Sequence, residues 1–297
     1  MSYEYKNVIG YFHVCQKGDW KRSFDLIFSM IKNSGLYDRT LELRIGIVND
    51  KSTIINDERF NDPKIKIILH DHESKYERPT ILHMRQSSEL DPSNTCYWYV
   101  HSKGLRHFDT PKESSVLDWI HFLLYWNIYN WKIALRMLIK YDTYGCNAIA
   151  RQHYSGNFWW ANIHHVKSLS KYIPDYYTAP EDYICTKNNK MFNIFSSGLQ
   201  GDGHYWHNYP KENYILPNDF DIDVYYYGNK DLHHFNYEEL VNHYLHHGKN
   251  EDRNYKMPDH FNFDLYREYN SDLRNFNDTL IVKHWFEYGQ YEDRKYK

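Results

Sequence analysis

The stretch CYWYV at residues 96–100, followed directly by HSKG at 101–104, decides the fold. An uninterrupted apolar and aromatic run that stops at a polar turn is typical of a buried strand. Three earlier runs have the same length and character, at residues 8–15 (VIGYFHVC), 43–48 (LRIGIV) and 65–69 (IKIIL). Segments with helical spacing alternate with these runs. The alternation predicts an α/β domain in which helices cover both faces of a mainly parallel sheet.

Three helices and one more strand complete this predicted domain. A helix is expected over residues 20–32, where apolar side chains recur at helical spacing, and Gly35 is placed to cap its end. A second helix is expected to begin at Arg78, and a long third helix to run from about 115 to 139 with a single apolar stripe. Residues 145–150 are predicted to form a further strand.

Composition excludes several classes of protein. Of the 297 residues, 41% are hydrophobic and 25% are charged, so the chain can bury a core and is not disordered. No apolar run approaches the roughly 18 residues of a transmembrane helix, and the N-terminal sequence MSYEYKNVIGYFHV does not resemble a secretory signal. The net charge of −3 argues against a nucleic-acid partner, because such proteins are usually basic.

The four cysteines, Cys15, Cys96, Cys146 and Cys185, are scattered without a C-x-x-C pair. This spacing argues against a zinc ribbon or a disulfide scaffold and fits a reducing compartment. We therefore expect a cytoplasmic protein.

The C-terminal part of the chain is a tandem repeat. Twelve residues between Asp223 and Tyr255 recur with an offset of 41, from Asp264 to Tyr296. This regularity predicts two 41-residue helical repeats over residues 216–297, after a first domain over 1–215. In each unit a glycine is expected to cap the second helix, and an arginine to pair with a carboxylate. The repeats are expected to mediate contacts with a protein or within the chain.

Ligands of parallel α/β sheets bind beyond the carboxyl ends of the strands, so the HSKG turn is the first candidate site. Lys103 is suited to neutralise a phosphate, and Gly104 would let the backbone approach it closely. The HSKG segment can equally be a polar surface turn that binds no ligand. Residues 71–73, after the third strand, are a candidate cation or ribose site, or an exposed loop.

Three further groups of residues have both a functional and a structural interpretation. The segment HYSGNFWWAN at 153–162 suits a strand with one face on a ligand, but its tryptophans would also suit a core. Glu181 and Asp182 lie in a tyrosine-rich loop, where a carboxylate can serve as general base or can simply be solvated. His204 and His207 are spaced to share a metal, although a third ligand is not evident.

Several of these stretches together resemble a glycosyltransferase-like family found in polysaccharide loci of bacteria and giant viruses. Its pattern includes H-I-C at the end of the first strand, S-G-L-Y, E-x-x-T-L, Y-x-H-S-K-G, D-W, Y-D-T-x-G and H-x-S-G-N-F-W-W-A. The resemblance covers about residues 7–185 and is carried by these segments: 13–15 (HVC), 34–37 (SGLY), 77–82 (ERPTIL), 99–104 (YVHSKG), 118–119 (DW), 141–145 (YDTYG) and 153–161 (HYSGNFWWA). The C-terminal units are similar to a small helical repeat that is often appended to glycosyltransferases.

The resemblance implies a GT-A-type fold, which is a Rossmann-like single domain that binds a nucleotide sugar, most often a UDP-sugar. It implies transfer of the sugar to a glycan or another hydroxyl acceptor. It places His13, Glu77 and the HSKG residues (His101, Ser102, Lys103, Gly104) at the donor. Sugar or acceptor binding is implied for Ser155, Gly156, Asn157, Trp159 and Trp160, and the general base is Glu181 or Asp182. The chain departs from the GT-A pattern at His101-Ser102-Lys103, where a D-x-D motif would hold Mn²⁺ or Mg²⁺. Lys103 can replace the cation, or His101 with His204 or His207 can bind one.

Two alternatives remain open from the sequence. A non-catalytic carbohydrate-binding or assembly protein would keep the fold without D-x-D chemistry and would use its aromatic residues for glycans. A zinc hydrolase would use the many histidines, but the chain has no H-E-x-x-H motif.

Overall fold

The computed structural model describes residues 5–149, 153–187, 190–199 and 201–296. The chain divides into two compact units, one ending at Lys211 and the other beginning at Glu212. Within the described residues, no helix combines the length and the apolar character needed to cross a membrane.

The first unit is built around a seven-stranded sheet with the order β3-β2-β1-β4-β8-β5-β9, and β6 and β7 pair with each other in a second, two-stranded sheet. The strands are β1 (Asn7–Cys15), β2 (Glu42–Asn49), β3 (Ile65–His72), β4 (Thr95–His101), β5 (Thr143–Gly145), β6 (Ala148–Ile149), β7 (His153–Tyr154), β8 (Trp159–Asn162) and β9 (Met191–Asn193). Among the described strands of the seven-stranded sheet, β8 alone runs antiparallel to its neighbours, β4 and β5. The predicted mainly parallel α/β sheet is therefore confirmed.

Seven α-helices belong to the described part of this unit. They are α1 (Trp20–Asn33), α2 (Leu36–Arg39), α3 (Arg78–Ser87), α4 (Glu113–Leu124), α5 (Trp131–Met137), α6 (Ile163–Ser168) and α7 (Ala179–Tyr183). Alternate strand residues face opposite helices, as the two-residue period of a strand requires. Tyr97 and Tyr99 of β4 pack with Ile81 of α3 and Val166 of α6, whereas Phe12 of β1 stacks on Phe24 of α1. Helices thus cover both faces.

The four strands expected at 8–15, 43–48, 65–69 and 96–100 are confirmed, with ends that differ by three residues or fewer. The continuous helix expected over 115–139 is wrong. α4 ends at Leu124, a π-helical turn follows over Tyr125–Tyr129, and α5 begins at Trp131. The break occurs at Asn130, whose side-chain amide and backbone N–H both donate to the Tyr125 carbonyl. An asparagine that bonds the backbone in this way competes with the regular helical pattern.

The strand expected at 145–150 is also interrupted. β5 ends at Gly145 and β6 covers Ala148–Ile149, while Asn147 between them adopts a positive φ of 51°. Residue 150 lies outside the described residues. A left-handed residue cannot continue an extended strand, so the chain turns here.

The second unit repeats one arrangement of short helices. α8 (Ile222–Tyr227) and α9 (Tyr237–His246) are followed at the same spacing by α10 (Phe263–Tyr269) and α11 (Asp278–His284). In the first segment Tyr225 hydrogen-bonds with His243 at 2.7 Å. Tyr266 and His284, 41 residues later, do so at 3.2 Å.

The arginines of the two segments also make equivalent ion pairs. Arg253 pairs with Asp231 at 2.7 Å and with Glu251, and Arg294 pairs with Asp272 at 2.9 Å and with Glu292. These polar residues bond to one another within each segment. Their role in the described structure is therefore to hold the short helices together.

Candidate functional site

The candidate site lies where the strand order reverses direction. β1 pairs in parallel with β2 on one side and with β4 on the other, and His13 stands opposite His101 in this register. In open α/β sheets, such a switch point opens a crevice outside the carboxyl ends of the strands. A cavity of about 410 Å³ occupies this position, and its lining includes His13, Cys15, Val48, Glu73, Tyr76, Glu77, His101, Ser102, Lys103, Gly104, Arg106, Trp119, Tyr177 and Tyr205.

All six residues expected at the donor, His13, Glu77, His101, Ser102, Lys103 and Gly104, line this one cavity. They come from β1, from the start of α3 and from the end of β4, and the sheet brings them together. The backbone of the turn is fixed, since Ser102 N donates to the His13 carbonyl at 2.8 Å. Ser102 Oγ also accepts from the backbone N–H of Cys15.

Lys103 is a buried cation without a charged partner. Lys103 is 8% exposed, and its ammonium lies 3.8 Å from the centroid of the Trp119 ring. The backbone N–H and carbonyl of Lys103 both bond to the hydroxyl of Ser23, so the residue is anchored at both groups. Among the described residues, no carboxylate or other acceptor pairs with Nζ, the cation–π contact apart. An ammonium in this state favours an anionic ligand.

The pKa of Lys103 is lowered, chiefly because burial disfavours the charged form. The negative charges of Glu181 and Glu77 act in the opposite direction and raise it. An anion bound in the cavity would add to this second effect and would strengthen the charged form.

Gly104 occupies a position that no other residue suits. Its φ is +84°, and a Cβ there would lie 2.8 Å from Val116 Cγ1 and 3.0 Å from Ile120 Cδ1. The turn therefore depends on glycine both for its left-handed backbone and for its close packing on α4. This packing brings the turn backbone to the cavity wall.

The cavity histidines are held in their neutral form by burial. His13 Nδ1 hydrogen-bonds with Thr80 Oγ1 at 2.8 Å, and burial lowers its pKa to about 4. The pKa of His101 is also lowered to about 4, by burial first and then by the charge of Lys103. Its Nδ1 lies 3.0 Å from the Ser102 carbonyl and its Nε2 lies 3.0 Å from the Gly156 carbonyl. A neutral imidazole has one N–H and donates to one of these oxygens at a time.

Glu77 is a carboxylate held in place from two sides. Its Oε2 accepts hydrogen bonds from the Tyr99 hydroxyl at 2.7 Å and from Asn157 Nδ2 at 2.5 Å. Its Oε1 lies 3.7 Å from His101 Nδ1. These contacts leave Oε1 as the oxygen of Glu77 that can accept from a ligand in the cavity.

The residues expected to bind a sugar form the support of the site instead. Ser155, Asn157, Trp159 and Trp160 are at most 4% exposed, and none of the group, Gly156 included, lines the cavity. β8 lies inside the sheet, between β4 and β5, so both of its faces are covered.

The contacts of these residues show how the support works. Trp159 stacks on Tyr99 with ring centroids 5.0 Å apart, and its Nε1 donates to Asn157 Oδ1. Trp160 Nε1 donates to the Asn127 carbonyl. The expectation that Trp159 and Trp160 form a stacking platform for a sugar is therefore corrected, because neither indole presents a ring face to a ligand. Through Asn157 and Tyr99, this segment positions Glu77.

The two candidate bases lie on α7 and differ in their contacts. The Asp182 carboxylate is 3.3 Å from His153 Nδ1 and accepts from the Tyr176 hydroxyl at 3.4 Å. Within the described chain, the side-chain oxygens of Glu181 make no hydrogen bond or ion pair. Glu181 is close enough to raise the pKa of both Lys103 and His101. Its carboxylate therefore shares the electrostatic environment of the cavity.

The metal site expected from His101, His204 and His207 does not form. His204 is buried, stacks on Trp119 at 4.4 Å and contacts Asn147 Nδ2 at 3.2 Å, and burial lowers its pKa to about 4. His207 is exposed. In the parts of the chain that the structure describes, no three His, Cys, Asp or Glu side chains come together to hold a metal ion.

Several lining residues were not expected as site residues. Trp119 reaches the cavity from α4, Tyr205 from a 3₁₀ turn over Gly201–Tyr205, and Tyr76, Arg106 and Tyr177 from loops. The only sequence signal among them was the D-W pair at 118–119, which is part of the family pattern. The other four residues carry no periodicity, and contacts between segments remote in sequence bring them together.

The fold and the site thus define a mainly parallel α/β protein with a cationic cavity at the switch point of its sheet. No protein-family model matches the chain, and neither does any curated protein. One solved structure similar to it is that of a protein from Desulfovibrio desulfuricans G20 proposed to be a nucleotide-diphospho-sugar transferase. The likeness has a TM-score of 0.35 and 11% identity, and covers 82% of this chain and 96% of that chain. We draw no argument from a likeness of this degree.

Proposed function

We propose that the protein is a glycosyltransferase that moves a sugar from a nucleotide-sugar donor, most simply a UDP-sugar, to a hydroxyl group of a glycan or of another acceptor. The observation that carries the proposal is Lys103, a buried ammonium without an anionic partner in the cavity at the sheet switch point. A donor diphosphate supplies the anion that this position favours. The proposal also agrees with the family that the sequence resembles.

Two cations would share the diphosphate. Lys103 lies at the end of β4, and Arg106 lines the same cavity three residues later with an exposed side chain. A point charge at the buried end and a guanidinium fork at the open end suit two successive phosphates. His13 and Glu77 then lie toward the nucleoside or the sugar, where a neutral imidazole and an oriented carboxylate can bond hydroxyl groups.

The reaction we propose is a displacement at the anomeric carbon. The acceptor oxygen forms the new bond to that carbon while the bond to the diphosphate oxygen breaks, and the electron pair leaves with the nucleoside diphosphate. Glu181 takes the proton of the acceptor hydroxyl, because its carboxylate is uncommitted while that of Asp182 is bonded. Lys103 stabilises the negative charge that develops on the leaving group.

The described residues do not fit a resident Mn²⁺ or Mg²⁺ site. Hard divalent cations take oxygen ligands, mostly carboxylates, and the end of β4 offers His101, Ser102 and Lys103 in their place. The Lys103 ammonium would repel a second cation at this point. We therefore derive no step through a metal ion.

Isothermal titration with UDP and with UDP-, GDP-, dTDP- and CMP-sugars tests the proposal. Substituting Lys103→Met removes the charge and keeps the length of the side chain. We expect nucleotide affinity to fall about ten- to a hundredfold, the size of a charge-assisted hydrogen bond. The matched control is Lys112→Met, because Lys112 also stacks on a tryptophan, 3.9 Å above Trp206, but does not line the cavity.

Three outcomes separate the candidate functions. Release of nucleoside diphosphate in the presence of a glycan, dependent on Lys103, supports the enzyme. Absence of affinity for every nucleotide contradicts the proposal, and glycan binding without nucleotide affinity identifies a carbohydrate-binding protein instead.

We also propose that residues 1–215 form the catalytic domain and that the repeats at 216–297 serve contacts with a protein or within the chain.

A further inference from the structure

Two tyrosines at the mouth of the cavity make a second, aromatic part of the site. Tyr76 and Tyr177 both line the cavity and are 40% and 63% exposed. Their rings meet edge to face, with centroids 5.4 Å apart and an interplanar angle of 88°. We call them the tyrosine pair. Large exposed aromatic surface beside a polar cavity is a feature of binding sites.

The backbone holds this pair in place at a cost. Tyr76 has a φ of 51° and a ψ of −142°, a region that residues with a side chain rarely adopt. Such strain persists only where the surroundings enforce it, and it is concentrated at functional sites. The exposed Tyr76 ring lines the cavity, as do two carboxylates close to it in sequence, Glu73 and Glu77.

Arg78 fixes the partner segment against Tyr76. It is 8% exposed, and its guanidinium donates to the carbonyls of Pro174, at 2.9 Å, and Tyr176, at 2.5 Å. The residue that follows is Tyr177. One buried side chain thus joins the loop of Tyr76 to the loop of Tyr177, and the tyrosine pair is preorganised.

An unused hydrogen-bond acceptor lies close in sequence to the pair. Glu73 Oε1 accepts from Lys17 Nζ at 2.6 Å, but Oε2 is buried and receives no hydrogen bond from the described residues. A buried acceptor of this kind is costly unless a ligand supplies a donor. A ligand that combines a flat apolar face with hydroxyl donors would satisfy both the tyrosines and Glu73.

We propose that the tyrosine pair binds a pyranose ring of the acceptor, so that the acceptor is a saccharide rather than a protein or lipid hydroxyl. This inference rests on the proposed function. Tyr177 stands four residues before Glu181, and the Glu181 backbone N–H donates to the carbonyl of Thr178, which directly follows Tyr177. A sugar stacked on Tyr177 would therefore lie beside the segment that carries the proposed base, Glu181. A nucleobase stacked on Tyr177 would exclude the acceptor from this position.

Saturation-transfer difference NMR with maltotriose, cellotriose, mannotriose and chitotriose, each with UDP present, tests the inference. We expect at least one trisaccharide to receive saturation on the carbon-bound protons of a terminal ring. Tyr177→Ala should weaken this binding about three- to tenfold, the size of a ring-stacking contact. Tyr172→Ala is the matched control, because Tyr172 is 66% exposed and lies outside the cavity lining.

The outcomes distinguish this inference from the proposed function. If no trisaccharide binds at millimolar concentration, or if Tyr172→Ala weakens binding as much as Tyr177→Ala, the inference is overturned. It is also overturned if Tyr177→Ala weakens binding of UDP alone, since the ring would then hold the donor base. Saccharide binding that needs Tyr177, in a protein with no affinity for UDP, would contradict the transferase and overturn the acceptor role, and it would identify the tyrosine pair as the glycan site of a carbohydrate-binding protein.

Discussion

At the scale of single residues, Glu181 and Asp182 are adjacent on α7 but are not equivalent. Asp182 accepts a hydrogen bond from the Tyr176 hydroxyl and lies 3.3 Å from His153 Nδ1, so its carboxylate is less free to accept a proton from a substrate. We predict that Glu181→Gln lowers the turnover number for transfer about a hundredfold or more, as removal of a general base does. Asp182→Asn should lower it much less.

The measurement is the rate of nucleoside diphosphate release at saturating donor. Nucleotide affinity serves as the control, since neither substitution should change it more than severalfold. Full turnover in the Glu181→Gln variant, with loss of turnover in Asp182→Asn, would show that Asp182 and not Glu181 is the general base.

Histidine burial predicts how stability depends on pH. The pKa of His13 is lowered from 6.5 to about 4 by burial. As pH falls from 6.5 to 4, the unfolded chain binds a proton at His13 and the folded chain does not, so the free energy of unfolding decreases over this window. A shift of this size corresponds to about 3 kcal/mol for one group.

The variant His13→Asn isolates this contribution, because the asparagine amide can take the place of Nδ1 beside Thr80 without titrating. Urea unfolding at pH 7 and at pH 4.5 should show a smaller loss of stability in the variant than in the unsubstituted protein. Equal losses would mean that His13 is protonated in the folded protein. His101 and His204, whose pKa values are also lowered to about 4, should contribute to the loss of stability that remains in the variant.

The candidate site was partly predictable from sequence, for reasons that differ between residues. Lys103 was identifiable because a buried strand ends just before it, and strand ends in parallel sheets meet at one edge. The role of Trp159 and Trp160 was not, because a strand in the middle of a sheet buries both faces and its pattern resembles that of a strand with one face on a ligand. Tyr177 was hidden in a loop whose position depends on Arg78, about a hundred residues away in the chain.

At the scale of elements, the turn between β4 and α4 determines the shape of the cavity. Gly104 in this turn has a φ of +84° and no room for a Cβ, whereas Gly198 has a φ of +79° and nothing within 4 Å of an added Cβ. The two positions share a backbone conformation and differ in packing, so they form a matched pair.

We predict that Gly104→Ala destabilises the protein more than Gly198→Ala. The strained φ should cost about 1–2 kcal/mol at both positions, and the contact with Val116 and Ile120 should add about 1–3 kcal/mol at Gly104 alone. Chemical denaturation gives the difference directly, and nucleotide titration should show weaker binding for Gly104→Ala only. Equal destabilisation would show that α4 yields to the added methyl group.

The sequence predicted the ends of an element correctly where the hydrophobic period and the local turn or capping residues indicated the same boundary. The run before His101 ends at a polar turn, and the observed strand ends there too. In the segment 115–139 the apolar stripe continues through Asn130, but the asparagine side chain bonds the backbone and α4 does not continue. Periodicity reports which face is buried, and it does not report a local competitor for the backbone hydrogen bonds.

At the scale of the whole molecule, the chain consists of two compact units with different kinds of internal order. The first unit gathers its site from strand ends that are remote in sequence. The second unit repeats short-range contacts with an offset of 41, such as the bonds of Tyr225 with His243 and of Tyr266 with His284. These bonds lie within single segments of the second unit, so we expect a change at one of them to disturb that unit before the first.

Two glycines allow this independence to be tested. A Cβ at Gly248 would overlap the hydroxyl of Tyr225, and a Cβ at Gly289 would overlap the hydroxyl of Tyr266. We predict that Gly248→Ala and Gly289→Ala each displace the tyrosine from its histidine and increase hydrogen exchange of amides in the same repeat. Nucleotide affinity, which depends on the cavity of the first unit, should stay within about twofold of the unsubstituted protein. Because the displaced contacts are equivalent, the two substitutions should have similar effects on their own repeats, and loss of nucleotide binding in either variant would show that the units are coupled.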